Sequence, residues 1–216
     1  MKKKKYSYIG VALVILVFGI YVVPKVVDYY EKSELARFEK VPEFEFINQN
    51  GETINNDTFK GKVYVVEFFF TTCPTICPIM NQKMLNIEKE FFGNPDFGIA
   101  SITITPDIDT PEVLKEYAKN LGISHQHWHL LTGKSQDVVY DLSISGFDMY
   151  AGNEGDEVHG GFEHSGLFAL IDKDGYIRSR RDEFENPIKY YRAVEEYDFP
   201  DQIQELKEDI KRLINE

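Results

Sequence analysis

The chain has 216 residues, of which 43% are hydrophobic and 28% are charged. This length suits one domain with or without an appendage, and this composition excludes disordered, collagen-like and wholly membrane-embedded proteins. The chain carries 36 acidic and 24 basic side chains, a net charge of −12. Nucleic acid is therefore excluded as a partner, because phosphate binding needs a basic face. Two cysteines are too few for a disulfide scaffold, but they suffice for one disulfide, one redox pair or two ligands of one metal ion.

The first 30 residues differ in kind from the rest. Four lysines at positions 2–5 precede an uncharged run, 6–24, whose core is almost entirely Val, Ile, Leu and Phe. This run approaches the roughly 20 apolar residues that cross a bilayer, and the lysines favour a cytoplasmic N-terminus. A cleaved signal peptide is the alternative, but residues 21–27 contain no small-residue cleavage site. We therefore predict an uncleaved single-pass anchor in the cell membrane over 1–30, with the rest on the periplasmic or extracytoplasmic side.

The residues after the predicted anchor are strongly acidic. Because the first 30 residues hold five lysines and one aspartate, the remainder carries a net charge of −16. Residues 31–40 are charged and helix-prone, which predicts a stalk. The folded domain is then predicted over 41–216.

Strands alternate with helices along this domain. Nearly unbroken apolar, β-branched and aromatic runs predict strands buried on both faces at 62–70 and 98–104. The other predicted strands are 41–46, 127–131, 167–171 and 176–180. Predicted helices follow the first buried strand and cover 111–121, 135–142 and 189–214. This order predicts an α/β fold, a sheet with helices on both faces.

Both cysteines lie in one short motif, Cys73-Pro-Thr-Ile-Cys77-Pro78, between the first buried strand and the following helix. The partial positive charge of a helix N-terminus is expected to lower a thiol pKa and favour the thiolate, which is both nucleophile and metal ligand. Residues four apart on a first helical turn share one side, so the two sulfurs can close a disulfide or bind one ion. Thiolates are soft ligands that suit Cu(I) or zinc. A purely structural disulfide is the alternative, but so short a loop would stabilise the fold weakly.

A metal bound by two cysteines needs a further ligand, and the chain has five histidines. His125, His127 and His129 alternate, so on a strand they would share one face, either as a separate metal site or as part of a half-exposed strand. His159 lies in a glycine-rich, acidic segment, 146–163, that predicts a solvated loop. His164 directly precedes the predicted strand 167–171, where a thioredoxin-type sheet faces its cysteine motif. It is either a surface histidine or a third ligand.

On these residues the sequence resembles the Sco/SenC family of copper chaperones for cytochrome c oxidase assembly. The match covers about residues 40–195, and the predicted N-terminal anchor is a further feature shared with the family. Its motifs are Phe70–Pro78, Thr105–Glu112, and His164-Ser165 with the strand and the Asp172–Gly175 turn that follow. The resemblance implies a thioredoxin-like fold, a mixed central sheet with flanking helices. It also implies one copper ion bound by Cys73, Cys77 and His164, received from an upstream donor and delivered to the dinuclear copper site of cytochrome c oxidase subunit II.

Two functions remain open on these residues. The first is a metal-transfer protein that is not an enzyme. The second is a membrane-anchored thiol–disulfide oxidoreductase with Cys73 as nucleophile and Cys77 as resolving thiol, using the pair as a redox-active disulfide. His164 separates them, because a redox pair does not need it. Asp107 and Asp109 match the family's acidic segment, where a helix-start role and support of the metal site are both open.

Overall fold

The computed structural model describes residues 7–149, 151–152, 163–195 and 199–216. Its first element is helix α1, Ser7–Ser33. Among the parts of the chain with described side chains, no helix has the length and apolar character that a membrane crossing requires. The predicted anchor over 1–30 therefore stays a prediction.

The described domain is built on one large mixed sheet. In chain order the strands are β1 Ala36–Lys40, β2 Glu45–Asn48, β3 Thr53–Asn55, β4 Val63–Phe69, β5 Phe97–Thr103, β6 Trp128–Thr132, β7 Ala151–Gly152, β8 Glu163–His164, β9 Leu167–Ile171, β10 Tyr176–Ser179 and β11 Tyr191–Arg192. The sheet order is β1-β10-β9-β4-β5-β6-β2-β3, and β11 also pairs with β9. β7 and β8 form a separate two-stranded ribbon.

The helices after α1 are α2 Cys77–Phe91, α3 Pro111–Leu121, α4 Gln136–Asp141 and α5 Ile203–Asn215. A 3-10 turn covers Asn56–Phe59, and a π-helical turn, Leu142–Gly146, follows α4. α5 packs against β4 and α2, whereas α3 packs against β6 and β2. The mixed sheet with flanking helices confirms the predicted α/β class.

The centre of the sheet consists of parallel neighbours. β4 pairs with β5 and β5 with β6 in parallel, and β9 lies antiparallel on the other side of β4. Every residue of β4 and β5 is buried. This confirms the two buried strands that their apolar runs predict, since helices cover parallel strands on their faces.

The two helices beside the central strands begin and end as their sequences predict. The apolar stripe of α2, Met80, Met84, Ile87 and Phe91, is buried throughout. The Thr110 side chain caps α3 by accepting a hydrogen bond from the Val113 backbone N–H at 3.5 Å, and proline takes the first turn. Gly122 ends α3 with φ of 75°, a left-handed conformation that glycine adopts readily.

Three predictions need correction. Residues 36–40 are not part of a stalk, because they form β1, an edge strand on β10. Charged side chains are tolerated on an edge strand, and that of Arg37 stacks 3.7 Å from the centre of the Tyr176 ring. The strand predicted at 41–46 is instead found a few residues later, as β2, Glu45–Asn48.

The last helix is shorter than the predicted 189–214. Tyr191 and Arg192 form β11 against β9, so this part of the chain belongs to the sheet. Pro200 follows, and the residue before a proline is disfavoured in helical conformation. α5 therefore begins only at Ile203.

Candidate metal centre

The two cysteines follow the carboxyl end of β4. Cys77 is the first residue of α2, and Pro78 is in its first turn, where the missing N–H costs no helical hydrogen bond. Cys73 lies four residues earlier, in the segment 70–76 that we call the cysteine loop. The structure holds both residues as thiols and not as a disulfide. Both are buried, with 8% of Cys73 and 1% of Cys77 exposed.

The two thiols interact directly. A hydrogen bond between Cys73 and Cys77, together with burial, raises the pKa of Cys77, although a backbone hydrogen bond from Phe70 acts in the opposite direction. The sequence predicted a lowered thiol pKa at this helix start. For Cys77 that prediction is wrong for the metal-free, reduced pair, because a shared proton and a dry environment outweigh the helix terminus. A bound metal ion would remove that proton, since ligating thiols are deprotonated.

A buried acidic group lies below the thiols in β4. Glu67 is 1% exposed, and its Oε1 accepts a hydrogen bond from the Ser101 hydroxyl at 2.6 Å. Trp128 Nε1–H donates to the same hydroxyl at 2.9 Å. Burial raises the pKa of Glu67 to about 7 against the lowering effect of Ser101, and Glu67 in turn raises the pKa of Cys77. Glu67 was not among the predicted site residues, although one acid in an otherwise apolar strand is a visible signal.

Asp109 ties the cysteine loop to the segment before α3. Its carboxylate is fully buried and accepts hydrogen bonds from Thr71, Thr103 and Thr105. Asp107, two residues earlier, is exposed. Of the two acidic residues singled out in the sequence, Asp109 is the one with a described contact to the cysteine loop.

His164 shortly precedes β9, the strand that pairs with β4. His164 is the last residue of β8 and pairs with Ala151. Three residues later β9 begins, antiparallel to β4, with Ala169 opposite Val66 and Ile171 opposite Tyr64. In that register the start of β9 lies at the end of β4, from which the cysteine loop departs. The His164 side chain lies outside the described residues, so its role as a ligand stays a prediction.

The described side chains alone do not complete a metal site. Among them, no three cysteine, histidine or acidic residues come together in a group that could hold a metal ion. His159 also lies outside the described residues, as does most of the predicted loop 146–163.

The rings of His125 and His129 make contacts within the fold instead. The two ring nitrogens of His125 lie 3.2 Å from the Phe91 carbonyl oxygen and 3.1 Å from the His127 backbone nitrogen. His129 is buried and its Nδ1 lies 3.2 Å from the Asn48 amide. Burial lowers the pKa of His129 to about 4, so this ring is neutral at physiological pH. Only His129 belongs to β6, and these contacts give no support to the separate metal site.

The sequence of this chain matches a known protein family. The SCO1/SenC family model matches residues 32–198. A SCO1 protein homolog of Bacillus subtilis (strain 168) is 31% identical over 170 residues, which cover 78% of this chain and 81% of that protein.

Two solved structures extend the comparison. BsSco, a member of the Sco family of cytochrome c oxidase assembly proteins in which a disulfide switch was identified, has a TM-score of 0.66 at 28% identity, covering 81% of this chain and 93% of its own. Copper-bound ScoI of Arabidopsis thaliana shares the fold, with a TM-score of 0.61 at 21% identity over 82% of this chain and 99% of its own. The family model matches well over half of the chain and spans the cysteine loop, and we conclude that the chain belongs to the SCO1/SenC family.

Proposed function

We propose that this protein is a copper metallochaperone for cytochrome c oxidase assembly. It binds one copper ion through Cys73, Cys77 and His164 and delivers it to the dinuclear copper site of oxidase subunit II. The observation that carries the proposal is the pair of buried thiols in mutual contact at the carboxyl edge of the sheet. Family membership supports the proposal, as does the copper in the related ScoI.

The donor set fits copper. Two thiolates and one imidazole are soft to borderline ligands, which favour Cu(I) over magnesium or calcium. The thiols already lie close enough for a hydrogen bond, so one ion can replace their shared proton without separating them. Cys73 is more exposed than Cys77, which leaves a side from which copper can enter.

The second candidate function is the thiol–disulfide oxidoreductase. The contact between Cys73 and Cys77 favours it as well, because thiols this close can close a disulfide, and the related BsSco carries a disulfide switch. In that function Cys73, the more exposed thiol, attacks the target disulfide and Cys77 resolves the mixed disulfide. The two functions share the cysteines and differ in their need for His164.

We also propose that residues 1–30 anchor the domain to the membrane, with the domain on the extracytoplasmic side. The lysine run at 2–5 and the uncharged run 6–24 support this. In α1 the large apolar side chains with described surroundings, from Val11 to Val23, are exposed. Such a surface needs an apolar environment to cover it.

Metal analysis of the purified full-length chain tests the copper proposal. We expect one Cu(I) per chain with reductant, and none after oxidation joins Cys73 to Cys77, since ligating thiols must be reduced and deprotonated. The double variant Cys73→Ser, Cys77→Ser should bind none under either condition. His127→Ala is the matched control, because its ring is partly exposed and lies outside the proposed site. Equal Cu(I) affinity of the oxidised and reduced chains would exclude the cysteines as ligands.

A further inference from the structure

One carboxylate joins the two loops that follow the neighbouring strands β4 and β5, and the first of these is the cysteine loop. The Asp109 side chain is 0% exposed. Its Oδ2 accepts hydrogen bonds from the backbone N–H of Thr71 at 3.1 Å and from the Thr105 hydroxyl at 2.9 Å. The hydroxyls of Thr71 and Thr103 also donate to this carboxylate. It therefore accepts four hydrogen bonds from three threonines.

The parallel pairing of β4 and β5 explains why these groups meet. Phe69 is opposite Thr103 at the ends of the two strands, so the loops that follow leave the sheet side by side. The backbone N–H of Asp109 donates to the Thr105 carbonyl at 2.9 Å, which folds the second loop into a turn. That turn places the Asp109 carboxylate under the start of the cysteine loop.

The four hydrogen bonds to Asp109 fall into two groups, one within its own segment and one between two loops. The bonds from Thr103 and Thr105 fix Asp109 within its own segment, because both donors belong to β5 or to the loop that follows it. The two bonds from Thr71 cross to the other loop, two residues before Cys73. Among the described ion pairs Asp109 takes part in none, and the threonines are its described side-chain partners.

We propose that Asp109 is a positioning residue for metal binding, which acts through Thr71 to hold Cys73 where its thiol can bind copper. This inference rests on the proposed function. Beyond Thr71, the Cys73 backbone N–H donates to the Phe70 carbonyl at 3.3 Å, and its Sγ lies 3.7 Å from Thr75 Oγ1. A thiol held in place before the metal arrives loses little freedom on binding, which raises affinity.

Two variants test the link from opposite ends. Asp109→Asn keeps the size of the side chain but removes its charge and replaces one of the two acceptor oxygens by an NH2 donor, so the side chain can no longer accept all four hydrogen bonds. Thr71→Val removes only the hydroxyl that crosses between the loops. We expect Asp109→Asn to lower the Cu(I) affinity of the reduced full-length chain, measured against a chromogenic Cu(I) chelator, by about 10–100-fold. Thr71→Val should have a smaller effect, and the double variant should bind no more weakly than Asp109→Asn alone.

Two matched controls separate positioning from general stabilisation. Thr103→Val removes a hydrogen bond to the same carboxylate on the β5 side, so it should lower thermal stability and leave Cu(I) affinity unchanged. Asp107→Asn makes the same charge change at an exposed position of the same loop and should change neither. The rate of thiol alkylation gives a readout without copper. It should rise in Asp109→Asn and Thr71→Val, because the cysteine loop then opens more often, and stay unchanged in both controls.

Each result of these measurements either supports or contradicts the positioning role of Asp109. If Asp109→Asn and Thr71→Val keep the wild-type Cu(I) affinity and alkylation rate and lose only thermal stability, Asp109 is structural and the proposal is wrong. If Asp109→Asn does not fold, Thr71→Val compared with Thr103→Val decides by the same two readouts. If the wild-type chain itself binds no Cu(I), the proposed function fails, and the alkylation rates still decide whether Asp109 positions Cys73.

Discussion

Glu67 and Ser101 lie opposite each other in neighbouring parallel strands, and the Ser101 hydroxyl donates to the Glu67 carboxyl group at 2.6 Å. The other carboxyl oxygen of Glu67 is buried and has no hydrogen-bond partner among the described residues. A group in this setting favours its neutral form, because an ionised carboxylate in the core would lack the donors that it needs. The protein therefore holds a titratable proton in the sheet below its cysteines.

This proton makes stability depend on pH. The pKa of Glu67 is about 7 in the fold against an ordinary value of 4.5. Between these values the folded chain binds a proton that the unfolded chain releases, so the contribution of Glu67 to stability falls as pH rises. The fall is at most about 1.4 kcal/mol per pH unit and is complete above the folded pKa.

We expect Glu67→Gln to remove this part of the pH dependence. Urea unfolding of the reduced, metal-free chain at several pH values between 4.5 and 7.5 measures it as the difference between wild type and variant. Ser101→Ala is the informative companion, because it removes the hydrogen bond that lowers the Glu67 pKa and should shift the loss of stability to higher pH. A difference between wild type and Glu67→Gln that is constant with pH would contradict the assignment.

Replacement of His164 should separate the two candidate functions. His164→Ala leaves both thiols in place, so the Cys73–Cys77 disulfide should form with a near-native reduction potential. Copper affinity should fall by about 10–100-fold or more, since even losses in the groups that support metal ligands reach this size. Copper titration and redox titration of the same preparation measure both. A strain that carries only this variant should assemble copper-poor oxidase.

The other histidines are controls for this experiment. Replacement of His127 or His159 should change neither copper affinity nor reduction potential. Unchanged copper binding in His164→Ala, combined with loss of disulfide reductase activity in cysteine variants, would favour the oxidoreductase.

A glycine at the end of β6 should tolerate no side chain. A Cβ on Gly133 would lie 2.7 Å from Val139 Cγ2 and 3.0 Å from Phe46 Cε1, both in the core. Gly133→Ala should therefore destabilise the fold by about 1–3 kcal/mol, the usual cost of overpacking. Denaturant unfolding measures the loss, and Lys134→Ala, a change at the exposed neighbour, should have little effect.

A second substitution tests whether steric conflict with Val139 causes the loss of stability in Gly133→Ala. Val139→Ala removes the methyl group that the new Cβ would meet. The double variant Gly133→Ala, Val139→Ala should therefore lose less stability than the sum of the two single variants. Strict additivity would show that steric conflict with Val139 is not the reason.

The proposed anchor predicts how the chain fractionates. We expect the mature protein to keep residues 1–30 and to stay with membranes after washing at high salt, because apolar insertion is insensitive to ionic strength. A chain that starts at residue 31 should be released into the soluble fraction. Recovery of soluble protein whose natural N-terminus lies beyond residue 25 would favour a cleaved signal peptide instead.

Local sequence signals predicted much of the fold. The apolar runs of β4 and β5, the stripe of α2 and the Thr110 cap of α3 all depend on neighbouring residues, and all were identified. The errors arose where tertiary pairing overrode local composition. The charged residues of β1 and the residues of β11 are strands only because β10 and β9 lie beside them.

The same distinction applies to the site. The spacing of Cys73 and Cys77 and the start of a helix at this motif are local features, and both are visible in the sequence. Cys73 nevertheless lies in the loop before α2 and not on its first turn, where the spacing predicts it. The partners of Asp109 are at positions 71, 103 and 105, and only the parallel register of β4 and β5 brings position 71 to the other two. A raised pKa for Cys77 likewise depends on contact between the thiols, which spacing alone does not decide.

The connection between α1 and the sheet limits how far the domain can travel. Only Glu34 and Leu35 separate the end of α1 from β1, and Leu35 is itself buried in the core. Two extended residues span about 7 Å, so the end of the helix and the edge of the sheet stay within a short distance. A connection of two residues, one of them buried, allows the domain to turn about the helix end but not to move far from it. Under the proposed function, copper is therefore received and delivered within one short radius of the point where α1 ends.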